Sequence, residues 1–385
     1  MARIQIENIH KTFGKVKALD GVSLDVKDKE FFVLFGPAGA GKTTILNCIA
    51  GIEMPEEGIV KYDGKVMNQI DPADRNVAMV FENYALYPHM TVYDNIASPM
   101  RSKRYHEDET VIKQKVEHVA KIMKMEKLLE RLPAQLSNGQ KQRVAMGRAL
   151  VRNPNVFLMD EPLAHLDAKL RNSMRTELKE MQAEFGTTSI YVTHDFMEAM
   201  SLGDRIAIIN KGKIVQIGTP DAIYYLPLNE FVSQMMGEPD INIIHGELLE
   251  EGSSFQVRLK DSGVVFSLPF EQELYAMISG YTGRNIDLGV RPQNVHYTFK
   301  PEDGYFEAKV YSYESLGNKS VIEANLGELM FRMIAPNGLT VKIDQPVYLK
   351  MDIDHAMFFD AETTNYIGRY NEKNIRMIAE GQEDK

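Results

Sequence analysis

Along residues 1–235, short apolar runs alternate with longer stretches whose apolar residues recur every three or four positions. Glu30–Phe35, Asn155–Met159 and Ser189–Thr193 have strand length, and each gives way to polar residues and then helix-forming sequence. Met1–Ile9 alternates polar and apolar residues as a strand does, and Lys42–Ile49 carries helical spacing. This rhythm predicts an α/β fold with a mainly parallel sheet covered by helices. Between the runs, His106–Leu132 is long, charged and helix-compatible. Its apolar residues Val111, Val116, Val119, Ile122, Met123 and Leu128 recur near the helical period, which predicts a helical subdomain at about residues 88–153.

After about residue 240 the texture changes. Phe255-Val257-Leu259, Ile286-Leu288-Val290, Ala308-Val310-Tyr313 and Val347-Leu349-Met351 alternate as strands do, with Gly, Asn and Pro between them. Only Glu271–Ile278 reads as helical there. The expectation is a small, strand-rich, OB-like barrel over residues 236–385, with a frayed polar end at Gly381–Lys385.

Length and composition narrow the setting. The chain has 385 residues, 44% hydrophobic and 25% charged, enough for two cores in the ordinary globular range. Its longest apolar runs are far shorter than a bilayer span, and the first residues carry no signal-peptide pattern. A lone cysteine, Cys48, excludes internal disulfides and cysteine-based metal sites and suits a reducing cytosol. The net charge of −10, from 44 Lys+Arg against 54 Asp+Glu with no basic run, argues against nucleic acid as a partner.

The chemistry is concentrated in a few segments. Gly36-Pro37-Ala38-Gly39-Ala40-Gly41-Lys42-Thr43-Thr44 fits GxxxxGK[ST] between a predicted strand and helix. Small residues let consecutive backbone N–H groups curl around phosphate oxygens, and the helix adds its positive end. Lys42 can then reach the terminal phosphates and Thr43 can ligate Mg²⁺. Asp160 and Glu161 end the apolar run Val156–Met159, where a phosphate-loop protein places a Mg²⁺-shell Asp and where Glu161 can polarise an attacking water. A strand end capped by acids is the plainer alternative. His194 closes Ser189–Thr193; a lone histidine there is more often structural, although beside the cradle it can donate to the γ-phosphate.

Leu136-Ser137-Asn138-Gly139-Gln140, shortly before the Asp160 strand, resembles the LSGGQ signature of ABC ATPases. The whole chain resembles the ATP-binding subunits of ABC importers, most of all the maltose-type bacterial sugar importers. The resemblance implies an ATPase at the cytoplasmic face of the inner membrane that uses ATP and Mg²⁺ to power uptake of a sugar or polyol. ATPases for polyamine, sulfate or metal import share this plan. It also implies membrane-spanning permease subunits, a second ATPase subunit (identical or different), and indirectly an extracytoplasmic substrate-binding protein.

Residue by residue, it implies that Phe13 stacks on adenine, where the plain alternative is a core Phe. Ser137, Gly139 and Gln140 would meet the nucleotide held by the opposite subunit, and Asp167 would touch that subunit. Tyr84–Val92 would receive the permease coupling helix, unless its aromatics are core. Gly289–Gln293 resembles the family's strand-rich tail, which helps dimerise the subunits.

Five positions depart from the family. Glu82 stands where a glutamine contacts Mg²⁺ and senses the membrane partner; it can still ligate the metal and belongs among the catalytic candidates. It also brings negative charge towards the γ-phosphate, and at 4 Å and an effective dielectric near 20 each charge pair is worth about 4 kcal/mol. Asn138 replaces the first signature glycine; asparagine tolerates left-handed backbone angles. His165 and the alanines Ala38 and Ala40 are lesser variations. Together they raise the alternative of a weakly hydrolysing partner in a heterodimeric ATPase pair.

Overall fold

The computed structural model describes residues 2–252, 254–260, 262–317 and 319–379, so the expected frayed end at Gly381–Lys385 lies outside the described residues. The chain divides into two compact units between Pro220 and Asp221.

The first unit contains two sheets. β1 (Ile4–Phe13), β2 (Val16–Val26), β4 (Glu57–Tyr62) and β5 (Lys65–Val66) form an antiparallel sheet in the order β2-β1-β4-β5. The second sheet has the order β10-β9-β3-β8-β7-β6, from β3 (Phe31–Phe35), β6 (Val77–Val80), β7 (Val156–Asp160), β8 (Thr188–Thr193), β9 (Arg205–Asn210) and β10 (Lys213–Gly218). Its strands are parallel except β10 at one edge. All of β3 and all of β8 are buried, as strands covered on both faces must be. Phe32, Leu34, Ile45, Ile49, Leu158 and Ile190 lie in one core with Ile4 and Leu19 of the other sheet. The helix α1 (Lys42–Ala50) leaves β3, whose C-terminal end therefore opens onto the helix start.

The helical part comprises α2 (Val92–Ala97), α3 (Glu109–Ile122) and α4 (Asn138–Leu150), which pack on one another. The predicted face of α3 is out of phase by one residue at its start. Val111 is exposed, and Ile112 is buried with Val116, Val119 and Met123. The helix also ends earlier than His106–Leu132 suggested, because Lys124 turns left-handed and short 3₁₀ turns follow. After β7, α5 (Ala168–Phe185) leads to β8, and α6 (Phe196–Leu202) leads to β9.

The second unit begins with α7 (Pro220–Tyr225) and α8 (Glu230–Met235). Sequence texture puts the boundary at 235/236; the compact units part at Pro220, and residues 224–236 supply carbonyls to two arginines of the second unit. Arg291, buried and stacked 3.6 Å from the Tyr224 ring centre, donates to the carbonyls of Met236 and Tyr224. Arg369 donates to the Tyr225 carbonyl at 3.1 Å.

The expected barrel is realised as two antiparallel sheets around one core. β11 (Asn242–Glu251), β12 (Ser254–Leu259), β13 (Val265–Ser267), β14 (Asn285–Val290), β20 (Met357–Asp360) and β21 (Tyr366–Arg369) form one, in the order β13-β12-β11-β14-β20-β21. β15 (Val295–Thr298), β16 (Phe306–Ser315), β17 (Ser320–Leu326), β18 (Leu329–Ala335) and β19 (Pro346–Met351) form the other, in the order β15-β19-β16-β17-β18. Val257, Leu288, Val310, Phe331 and Leu349 meet between them. The odd spacing Ala308-Val310-Tyr313 is a bulge: register slips between Val310 and Ser312. Besides α9 (Gln272–Ile278), a second helix after β14 went unpredicted, α10 (Glu372–Ala379).

β14 also buries a carboxyl group. Asp287 is 3% exposed, takes a 2.7 Å contact from His245 Nδ1, and lies against the Glu230 carboxyl, one of whose oxygens is buried without a partner. Burial, reinforced by Asp287, pushes Glu230 up to about 8.

Candidate nucleotide site

The loop from β3 to α1 needs its glycines for different reasons. A Cβ on Gly36 would stand 2.2 Å from the Ile209 carbonyl oxygen, so only glycine lets the loop pass over β9. Gly41 caps α1 in a left-handed conformation (φ 108°), and a Cβ there would meet the Ala18 carbonyl at 2.6 Å. No side chain caps this helix, so its first N–H groups are left for an incoming anion. Pro37, Ala38 and Gly39 make the outer rim, Ala40 is buried, and Thr44 lies half-buried in the first turn.

Lys42 is 5% exposed, and its ammonium donates to the carbonyls of Gly36 (2.8 Å) and Pro37 (3.0 Å). Burial pulls its pKa down while Glu161 and Asp160 oppose the fall. The Thr43 hydroxyl donates to Asp160 Oδ1 at 3.1 Å across the gap between α1 and the end of β7. Burial raises Asp160, and the nearby carboxylates Glu161 and Glu82 add to the rise. Glu161 follows in a left-handed conformation (φ 45°) that turns its side chain between two partners. One oxygen lies 3.7 Å from Lys42 Nζ and the other 2.8 Å from His194 Nδ1. Three β-strand ends thus bring Lys42, Thr43, Asp160, Glu161 and His194 into one cluster, as the spacing implied.

Other predicted residues lie apart from that cluster. Ser137 and Gln140 form a capping box on α4: Gln140 N–H donates to the Ser137 hydroxyl, and Ser137 N–H donates to the Gln140 side-chain oxygen. Among the described residues, none of their hydrogen bonds reaches the phosphate loop. Gly139 is buried, where a Cβ would press on Leu170 at 2.7 Å. Asn138 begins the helix with no positive φ, so the left-handed tolerance invoked for it is not needed. Phe13 is 46% exposed at the end of β1 with the Lys11 ammonium 5.1 Å from its ring centre, which rules out a core role. Within Tyr84–Val92, Tyr84 and Val92 are buried but Tyr87 is exposed, and buried Asn95 donates to the carbonyls of Tyr87, Met90 and Thr91. Glu82 is exposed and lies 3.5 Å from His165.

The ABC transporter family profile matches residues 19–164. The chain is 43% identical over 378 residues to the trehalose/maltose import ATP-binding protein MalK of Thermococcus litoralis, covering 94% of this chain and 99% of that relative. The chain belongs to the ABC transporter ATP-binding family. Within this family it is also 39% identical to the sn-glycerol-3-phosphate import protein UgpC 1 of Rhizobium johnstonii, over 95% of this chain and 96% of that one. It is 40% identical to the oligosaccharides import protein MsmX of Bacillus subtilis, over 94% and 99%. Among solved structures, the dimeric bacterial ABC transporter cassette MJ0796 superposes with a TM-score of 0.51 at 32% identity, covering 56% of this chain and 98% of its own.

As an ABC cassette, the chain is an ATPase. Two supports of its site escaped the sequence reading. Glu198, 3% exposed and raised by burial, accepts from Thr193 (2.6 Å) and Tyr191 (2.9 Å) beneath His194, and Arg171 donates to Asp195 at 3.1 Å. A signal existed: Asp195 and Glu198 stand three apart at a helix start, and Asp195 caps Glu198 N–H.

Proposed function

We propose that the chain hydrolyses ATP with Mg²⁺ to power import of a sugar or polyol through membrane-spanning permease subunits, which it joins from the cytoplasmic face. Glu161, held between Lys42 and His194, is the observation that carries this reading. In it, Lys42 exchanges its loop carbonyls for the terminal phosphates, and Glu161 takes the proton of the attacking water. His194 Nδ1 lies 2.8 Å from Glu161, and the largely exposed ring has its other edge free for the γ-phosphate.

The donors at the loop are hard oxygens, the Thr43 hydroxyl and Asp160, with the Glu82 carboxylate near enough to raise Asp160. They suit Mg²⁺, which binds through one or two carboxylates together with substrate phosphates. No group of three His, Cys, Asp or Glu side chains among the described residues is arranged to hold a metal alone, which supports the ion arriving with the nucleotide. Phe13 offers an exposed ring face for the adenine. Ser137, Gly139 and Gln140 serve the site of a second ATPase subunit, and Asp167 meets that subunit. The Tyr84–Val92 segment receives the permease, which passes on cargo from an extracytoplasmic binding protein. None of the described helices is long and apolar enough to cross a membrane, consistent with attachment through partners.

The names of MalK, UgpC and MsmX support sugars or glycerol phosphate as the cargo class. The test is Glu161→Gln in the full chain. Turnover falls by about 10²–10⁴-fold while ATP binding persists; retained turnover, or lost binding in a folded variant, refutes the role.

A further inference from the structure

Three of the departures from the family, Glu82, Asn138 and His165, are far apart in sequence and meet in the fold. His165 Nε2 is 3.5 Å from Glu82 Oε1. The His165 carbonyl accepts from Asn138 Nδ2 at 3.5 Å. The His165 ring meets the Tyr84 ring edge-on, with centres 6.5 Å apart and planes at 89°.

Tyr84 is a fixed wall. It is 6% exposed, it and Ala85 adopt left-handed angles (φ 61° and 44°), and Arg148 of α4 donates to both their carbonyls at 3.0 and 2.8 Å. Such angles cost energy in residues other than glycine and persist where neighbours impose them. The first residue of α4 therefore touches the loop bearing His165, and the last turn of α4 grips the loop bearing Glu82. The imidazole between them is held by its backbone on one side and by Tyr84 on the other.

We propose that His165 is a positioning residue for Glu82: it holds the carboxylate against the 163–167 loop and away from the ATP phosphates. Glutamine in this place needs no such restraint because it carries no charge to repel them. A carboxylate swinging freely beside the phosphate loop weakens ATP binding, and a neighbouring ring that donates Nε2–H captures it. The pair is exposed, so ordinarily it would count for little. Here the Tyr84 ring backs the imidazole and Asn138 contacts the backbone that bears it, which lowers the entropy lost in making the contact. The inference rests on the reading that Glu82 faces the nucleotide.

The test is a four-member cycle in the purified full chain: wild type, His165→Ala, Glu82→Gln and the double variant, each assayed for steady-state ATPase against MgATP. His165→Ala raises KM about two- to five-fold, the range open to a surface pair, with a smaller change in kcat. In the Glu82→Gln background the same substitution shifts KM by less than about two-fold, the margin of independent sites. His165→Gln, which keeps a donor, restores part of the wild-type KM. An equal shift in both backgrounds, or none with Glu82 present, overturns the inference while leaving the reading of Glu82 intact. If Glu82→Gln alone moves neither KM nor kcat, both fall. Should the alanine variant not fold, His165→Asn closes the same cycle.

Discussion

Raising the pH weakens the second unit through Glu230. Its carboxyl, pushed up to about 8 from 4.5, keeps its proton in the folded chain over a range where the unfolded chain has lost it. The folded state then binds more protons, so stability falls as pH rises. The contribution is fully present below about 4.5, erodes through neutrality, and is gone above about 8. Unscreened, that interval corresponds to about 5 kcal/mol. The residue is only partly buried, so solvent screening reduces it to on the order of 2 kcal/mol. Glu230→Gln mimics the protonated acid, since its amide keeps a donor for Asp287 and cannot ionise. Urea unfolding followed by far-ultraviolet circular dichroism, at pH 5 and 9, compares the two proteins. Other groups titrating in that window are common to both, so the difference isolates Glu230. Wild type loses on the order of 1–2 kcal/mol more than Glu230→Gln over this window. Identical pH slopes would refute the reasoning, because the acid would then not be held neutral.

Three further outcomes are expected. Gly36→Ala forces a Cβ into the Ile209 carbonyl, lowering stability by about 1–3 kcal/mol and ATP affinity with it; thermal melts and nucleotide titration check both. Thr43→Val removes the hydroxyl that meets Asp160 and lowers turnover at least about tenfold, as for one lost bond to a charged group; chelating Mg²⁺ stops wild-type turnover, and residual activity in chelator would contradict the metal assignment. Cys48, buried with its thiol pushed up to about 12, resists iodoacetamide at pH 8 in the folded chain and reacts after urea unfolding.

The nucleotide cradle was legible because its chemistry needs short side chains at fixed offsets; Gly36 and Gly41 have no substitutes in that geometry. β3 was legible because a strand covered on both faces is apolar throughout, and β8 by its apolar centre Ile190–Val192 between the buried Ser189 and Thr193. The phase of α3 was not, since Val111 and Ile112 are adjacent and equally apolar, and packing alone chooses between them. Nor was the place of α7 and α8: they follow the first unit's rhythm in sequence, and their contacts with Arg291 and Arg369 come from 55 to 144 residues away. A carbonyl that receives a distant guanidinium leaves no mark in sequence. The meeting of Glu82, Asn138 and His165 is of the same kind. Each was visible as an oddity, but only the fold makes them neighbours.

The division at Pro220 bears on how such chains are inherited. The MJ0796 cassette spans 98% of its own length with 56% of this chain, so a cassette without this tail is a protein in its own right. A tail grafted onto such a cassette has to bring its own acceptors for two buried guanidiniums, because an orphaned charge of that kind is among the costliest defects a core can carry. Those acceptors are the carbonyls of Tyr224, Tyr225 and Met236. Separating residues 221–236 from the rest of the second unit would strip Arg291 and Arg369 of these acceptors.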